Sequence, residues 1–239
     1  MSRFLPALLL LPALLSAQPR KLVVISIDGL DARFLTDPAL HIKTPNIRRL
    51  MQTGASASVV GVAPSETLSS AMSIVTGVTP DEHGGMALKK PTLWQEGDKG
   101  GLKIASVYWP LVSNADVAFN FPPDPDKPTG NAVPFESIAE KSVPPGVADR
   151  VESMFHNFEK QVWDDSSAAQ ASAWVLTNGA PDLLLVQFTD LASEQRQTPG
   201  LSVYARESLE NDDDLIGQIL AKLPKESIVA LVSLSLIHI

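Results

Sequence analysis

The sequence predicts an α/β protein, a three-layer αβα sandwich built around a mostly parallel sheet. Three observations point to it. Short apolar runs recur at KLVVISIDG (21–29), LKIASVYWP (102–110), PDLLLVQFTD (181–190) and SIVALVS (227–233). Such runs are uninterrupted because a parallel strand is covered on both faces. Segments with helix start and stop signals separate them, and strands alternating with helices imply helices on both sides of the sheet. Two of the runs end in an acid, Asp28 and Asp190, where the chain leaves the sheet.

In chain order, residues 21–29 form the first strand. KTPNIRRLMQTG (43–54) follows as a helix, with Thr44 as N-cap, Pro45 at the first helical position and Gly54 at its end. ASASVVGVA (55–63) reads as a second strand, and TLSSAMSIVTG (67–77) as a short helix stopped by Gly77. After the strand at 102–110, NFPPDPDKPTGNAVP (120–134) is too rich in proline for regular structure. Helices are expected at 144–155, at 164–179 with Asp164 or Asp165 as N-cap, and at 202–223. In the last of these, Asp212, Asp213 and Asp214 read as a solvated face. The strand at 227–233 closes the sheet.

The chain has 239 residues, 44% of them hydrophobic and 19% charged, with a net charge of −8. That balance suits a globular domain with a sizeable core. It argues against a nucleic-acid polymer as partner, because neutralising phosphates needs clustered Lys and Arg. Without cysteine there is no disulfide, thiolate zinc site or Cys nucleophile. Residues 1–17 have the layout of a signal peptide: Arg3, an apolar stretch from Phe4 to Leu15, then Ser16 and Ala17. Twelve apolar residues fall short of the roughly 20 that span a bilayer. The expectation is therefore a periplasmic or secreted chain, with no membrane association after cleavage. At the other end, LSLIHI (234–239) matches the translation of a transposon-end adaptor, so the expectation is a non-native tail after a truncated domain of residues 18–233.

In open parallel sheets ligands gather outside the carboxyl ends of the strands. Asp28 and Asp190 both fall there and can serve as metal ligands; acids at such places also form turns and cap helices. Thr67 starts a helix of small residues, so its hydroxyl sits at the positive helix end, where a phosphate can be held. Plain N-capping by Ser65 or Thr67 is the other reading.

The segments VVISIDGLDARFL, TPNIRRLMQTGA and PSETLSSAMSIVTGVTPDEHG resemble the type I phosphodiesterase/nucleotide pyrophosphatase family of the alkaline phosphatase superfamily. The likeness continues through PTLWQEGDKGGLKIASVYWP, WDDSSAAQASAWVL, PDLLLVQFTDL and SVYARESLE. It implies an alkaline-phosphatase-like fold, incomplete at its C-terminus, and a hydrolase of phosphodiesters or pyrophosphates with two divalent metals, usually zinc. The implied substrates are small phosphate esters or nucleotides. On this resemblance Asp28 is a metal ligand, and Thr67 is the nucleophile that bridges to metal and becomes phosphorylated.

Elsewhere the pattern is broken. The family's Asp and His ligands, four residues apart, fall on Ala192 and Arg196, and neither side chain binds zinc. A shifted register gives Asp190 and Glu194 at the same spacing. Leu88 stands where the family places an Asn that holds phosphoryl oxygens. His83 matches a histidine that is not a ligand; His41 and His156 read as surface residues. These departures support a second expectation, a degenerate relative that binds a phosphate-bearing ligand without hydrolysing it.

Overall fold

Leu22–Ile27 forms β1, and every residue after Leu22 is buried. The structure is a computed structural model that describes residues 20–59, 61–63, 66–123 and 135–234. The expected signal peptide and all of the expected tail except Leu234 lie outside these residues. The other strands are β2 (Ile104–Val107), β3 (Phe119–Phe121), β4 (Leu183–Phe188) and β5 (Ile228–Val232). They make one parallel sheet in the order β3-β2-β4-β1-β5. All six residues of β4 are buried at its centre. A fully buried Leu, Val or Phe contributes about 1.5–3 kcal/mol, so these apolar runs anchor the fold.

The ten helices of the described residues are α1 (Arg33–Thr36), α2 (Pro45–Thr53), α3 (Thr67–Thr76), α4 (Pro80–His83), α5 (Leu93–Lys99), α6 (Phe135–Lys141), α7 (Val147–Phe155), α8 (Asp165–Asn178), α9 (Asp190–Gln197) and α10 (Val203–Leu220). Side chains alternate across a strand, and the two cores follow that alternation. Val23, Ile25 and Ile27 of β1 face a core with Ile47 of α2, Val151 of α7, Val175 of α8 and Ile216 of α10. Val24 faces the other core, with Met72 and Val75 of α3 and Trp94 of α5. The sheet is thus sandwiched between helical layers, as the sequence predicts. Leu234 is buried in the second core.

Four local expectations are corrected. Residues 55–59 and 61–63 form no strand; they are mostly exposed and lack a partner strand. Alternation in ASASVVGVA is carried by small residues, which leave too little apolar area to bury. Asn120 and Phe121, read as loop, belong to β3, a short edge strand that buries Phe121 completely; residues 124–134 of that loop are outside the described set. Thr44 occupies the N-cap position of α2, but its side chain makes no capping bond. Asp213 of α10 does that work. Its carboxylate accepts the backbone N–H groups of Asn46 at 3.0 Å and Ile47 at 2.7 Å. Asp212 and Asp213 are therefore buried and not on a solvated face.

Candidate active site

The carboxyl end of the sheet collects the residues singled out from the sequence. The N–H of Asp28 donates to Phe188 O at 3.0 Å, which continues the β1–β4 ladder one residue beyond β1 and fixes where the side chain starts. Asp28 is only 4% exposed. Thr67 is the first residue of α3, behind Glu66 at the N-cap, whose side chain makes no capping bond. The Thr67 hydroxyl does not cap its own helix: Oγ1 donates to Asp28 Oδ2 at 2.8 Å. Two residues 39 positions apart are thus joined at the positive end of a helix, where partial charge favours an anion.

Asp190 reaches the same sheet edge, because β4 lies beside β1. It begins α9, and its Oδ2 accepts the backbone N–H of Asp165 at 2.9 Å. The favour is returned: Asp165 carboxylate oxygens accept the N–H groups of Thr189 at 2.7 Å and Asp190 at 2.9 Å. Each acid satisfies the first turn of the other's helix, so α8 and α9 are locked start to start. Asp164 takes the N-cap position of α8 and Asp165 the first helical position, without the local side-chain capping expected from the sequence.

Beyond β2, Tyr108 lies in the same region with a positive φ of 59°. Its hydroxyl accepts the Trp163 N–H at 3.2 Å and meets Ser167 Oγ at 2.8 Å; Ser167 in turn donates to Asp164 O. The hydrogens therefore run one way, from Trp163 through Tyr108 and Ser167 to Asp164. Burial pushes the Tyr108 phenol above its ordinary value, against the opposing pull of these bonds. A raised folded pKa gives stability that is complete below the unfolded value, about 10, and declines as pH rises above it. Melting temperatures are expected to fall in the wild type as pH rises above about 10, and to fall less steeply there in Tyr108→Phe.

The remaining positions are less favourable to a metal centre. Ala192 is fully buried, and the exposed Arg196 donates to Ser193 Oγ at 2.9 Å. Leu88 ends a short 3-10 turn in the left-handed region. His83 is buried, with Nδ1 accepting the Gly85 N–H at 3.0 Å; the partner of Nε2 is Ser73 Oγ at 3.1 Å. Since a backbone N–H can only donate, this hydrogen-bonded tautomer carries its proton on Nε2, and the ring serves structure. His41 and His156 are exposed. Among the described residues no three His, Cys, Asp or Glu are arranged to hold an ion. Asp28 and Thr67 offer two oxygen donors, which do not fit a complete two-zinc centre by themselves.

One residue not flagged by the sequence reading sits against Asp28. Gln195, on α9, is 8% exposed, and its Nε2 donates to Gly29 O and Gly200 O, both at 3.1 Å. Gly29 has φ +82°, and a Cβ there would lie 2.2 Å from Gln195 Oε1 and 3.2 Å from Ala192 Cα. Gly29→Ala is expected to destabilise by about 2–3 kcal/mol, combining the left-handed penalty with overpacking. Urea unfolding midpoints measure this. No local sequence signal announces Gln195, since the contact spans 166 residues. A separate apolar groove of 460 Å³, lined by Leu22, Leu102, Leu183 and Ile228 among others, opens at the amino ends of the strands, across the sheet from this site.

Comparison with known proteins gives one family match and several structural neighbours. Residues 22–87, which include Asp28 and Thr67, match the family model of type I phosphodiesterase/nucleotide pyrophosphatase. No curated protein matches the sequence. Among solved structures, phosphonoacetate hydrolase from Sinorhizobium meliloti 1021 in complex with phosphonoacetate is similar, with a TM-score of 0.59 and 18% identity. The match covers 85% of this chain and 54% of that one. Murine ectonucleotide pyrophosphatase/phosphodiesterase 5, in an inactive threonine-to-alanine form with AMP, gives a TM-score of 0.57 at 17% identity, over 90% of this chain and 56% of its own. The human counterpart gives 0.55 at 15% identity, over the same shares. The chain spans just over half the length of these structures, and at such identities they establish the fold. Within that span, then, the protein has the α/β fold of these structures, and its residues 22–87 match the family model of type I phosphodiesterase/nucleotide pyrophosphatase.

Proposed function

We propose that the whole protein hydrolyses phosphodiester or pyrophosphate bonds in small phosphate esters or nucleotides, with Thr67 as the nucleophile. The Thr67–Asp28 hydrogen bond carries this reading. In the proposed step the Thr67 hydroxyl loses its proton to water, a bond forms between Oγ1 and phosphorus while the bond from phosphorus to the leaving oxygen breaks, and the leaving oxygen takes up a proton from water. Water then releases the phosphoryl group from threonine. Asp28 Oδ2 fixes the hydroxyl rotor, so the oxygen lone pairs are presented away from the carboxylate. Backbone N–H groups in the first turn of α3 face the developing phosphoryl charge.

Hydrogen bonding alone does not make threonine reactive. Ionising an alcohol with a pKa near that of water, about 15.7, costs roughly 12 kcal/mol at neutral pH. A helix end contributes on the order of 1 kcal/mol. The rest has to come from positive charge at the hydroxyl, so the proposal includes divalent cations, with zinc the expected one and Asp28 among its ligands. The names of the similar structures support this class of substrate: one holds phosphonoacetate, and another holds AMP in a form inactivated by loss of a threonine. Export through residues 1–17 to the periplasm or medium belongs to the same proposal.

The test is turnover of bis-p-nitrophenyl phosphate by the full-length protein, with added zinc and with a chelator. Turnover that appears with zinc and disappears on chelation is the expected result. Activity that is indifferent to both would overturn the metal-assisted reading.

A second reading is favoured by three positions: Ala192 and Arg196 stand where the family places metal ligands, and Leu88 where it places an Asn. It makes the protein a non-catalytic binder of a phosphate-bearing ligand. Calorimetry with AMP in chelator separates the two, since only the binder retains affinity there.

A further inference from the structure

We infer that Gln195 is a positioning residue for the Asp28–Thr67 pair, holding the turn after β1 against α9 so that the Asp28 carboxylate meets the Thr67 hydroxyl. For its kinetic consequence the inference rests on the phosphoryl-transfer reading above; its geometric content does not.

Asp28 sits in a turn pinned on both sides. On its amino side, its own N–H is held by Phe188 O at the end of β4. Just beyond its carboxyl side, Gly29 O accepts Gln195 Nε2, and the second hydrogen of the same nitrogen goes to Gly200 O. Both acceptors are carbonyls, so the orientation of the amide follows: nitrogen faces them and oxygen faces Gly29 Cα. Gln195 Oε1 is buried without a hydrogen-bond partner among the described residues. An unsatisfied buried carbonyl costs on the order of 1–3 kcal/mol. That cost is borne in a side chain whose two donors tie three segments together: the Asp28 turn, α9 and the loop before α10. Glycine at position 29 is what lets the amide come so close.

Removing the clasp is expected to free the Gly29 carbonyl and let the turn move relative to α3. The Thr67 oxygen then loses its fixed direction. A misplacement on the order of 1 Å can lower a rate by about a hundredfold.

The test uses Gln195→Met, which keeps length and volume but donates nothing, and Gln195→Ala. In the first arm, NMR follows the Thr67 methyl and Gly29 amide signals. Both are expected to shift in either variant, while the Asn46 amide, capped by Asp213 on the same helical layer, stays in place. In the second arm, phosphodiester turnover of the full-length protein is measured. The expected result is a 10- to 100-fold drop in kcat with KM within about twofold. A Gln195→Met protein with native Thr67 signals and native kcat overturns the inference. If Thr67→Ala does not lower turnover, the catalytic reading fails, yet the NMR arm still decides whether Gln195 positions the pair. If Gln195→Ala fails to fold, the methionine variant carries both arms.

Discussion

Thr67→Ala is expected to lower phosphodiester turnover of the full-length protein by at least about a thousandfold, with the folded state intact. Loss of a nucleophile that acts within a catalytic unit can cost up to roughly a millionfold. The stability cost is small by comparison, because the substitution removes one side-chain hydrogen bond, worth about 0.5–1.5 kcal/mol. Thr67→Ser keeps the oxygen and is expected to retain most of the rate. Asp28→Asn keeps the shape but replaces a charged acceptor by an amide, and a loss of about 10²- to 10⁴-fold is expected. Initial rates beside melting temperatures separate a lost reaction from a lost fold. A Thr67→Ala protein as active as the wild type would move the nucleophile elsewhere.

The largest stability effect is expected at Asp213. Its buried carboxylate takes the Asn46 and Ile47 backbone N–H groups and the Asn46 side-chain amide at 3.0 Å. Helix α2 begins with Pro45, which has no N–H, so Asn46 and Ile47 are the first donors that need an acceptor. Hydrogen bonds to a charged group contribute about 1.5–3 kcal/mol each, and losing the acceptor leaves buried donors unsatisfied. Asp213→Ala is therefore expected to destabilise by about 3–4 kcal/mol, a large share of a typical domain's stability. Asp213→Asn keeps one acceptor oxygen and should fall between this and the wild type. The measurement is the urea midpoint at unchanged slope. Thr44→Ala, at the position the sequence marks as the cap, is expected to change that midpoint by much less, because its side chain makes no capping bond.

The strands at Leu22–Ile27, Leu183–Phe188 and Ile228–Val232 are legible because burial on both faces demands an unbroken apolar run. Pro45 and Gly54, and Thr67 and Gly77, frame their helices because the backbone constraints of those residues are local. The strand at Phe119–Phe121 is not legible, since three residues at a sheet edge carry too short a pattern to separate from the proline loop beside them. Asp212 and Asp213 are buried while Asp214 is exposed, because three adjacent acids say nothing about what packs on them; α2 packs on Asp213.

For the site, the sequence by itself determined that Asp28 ends a buried strand and that Thr67 opens a helix, since both follow from local pattern. Only the tertiary structure decided that the two touch, through the parallel crossover that sets α3 against the carboxyl end of β1. It also decided that Asp190 is paired across the helix starts with Asp165, and that Gln195 clasps the turn after Asp28. Each of these contacts joins residues dozens of positions apart, and the spacing of residues along a chain carries no record of which buried donor will need which acceptor.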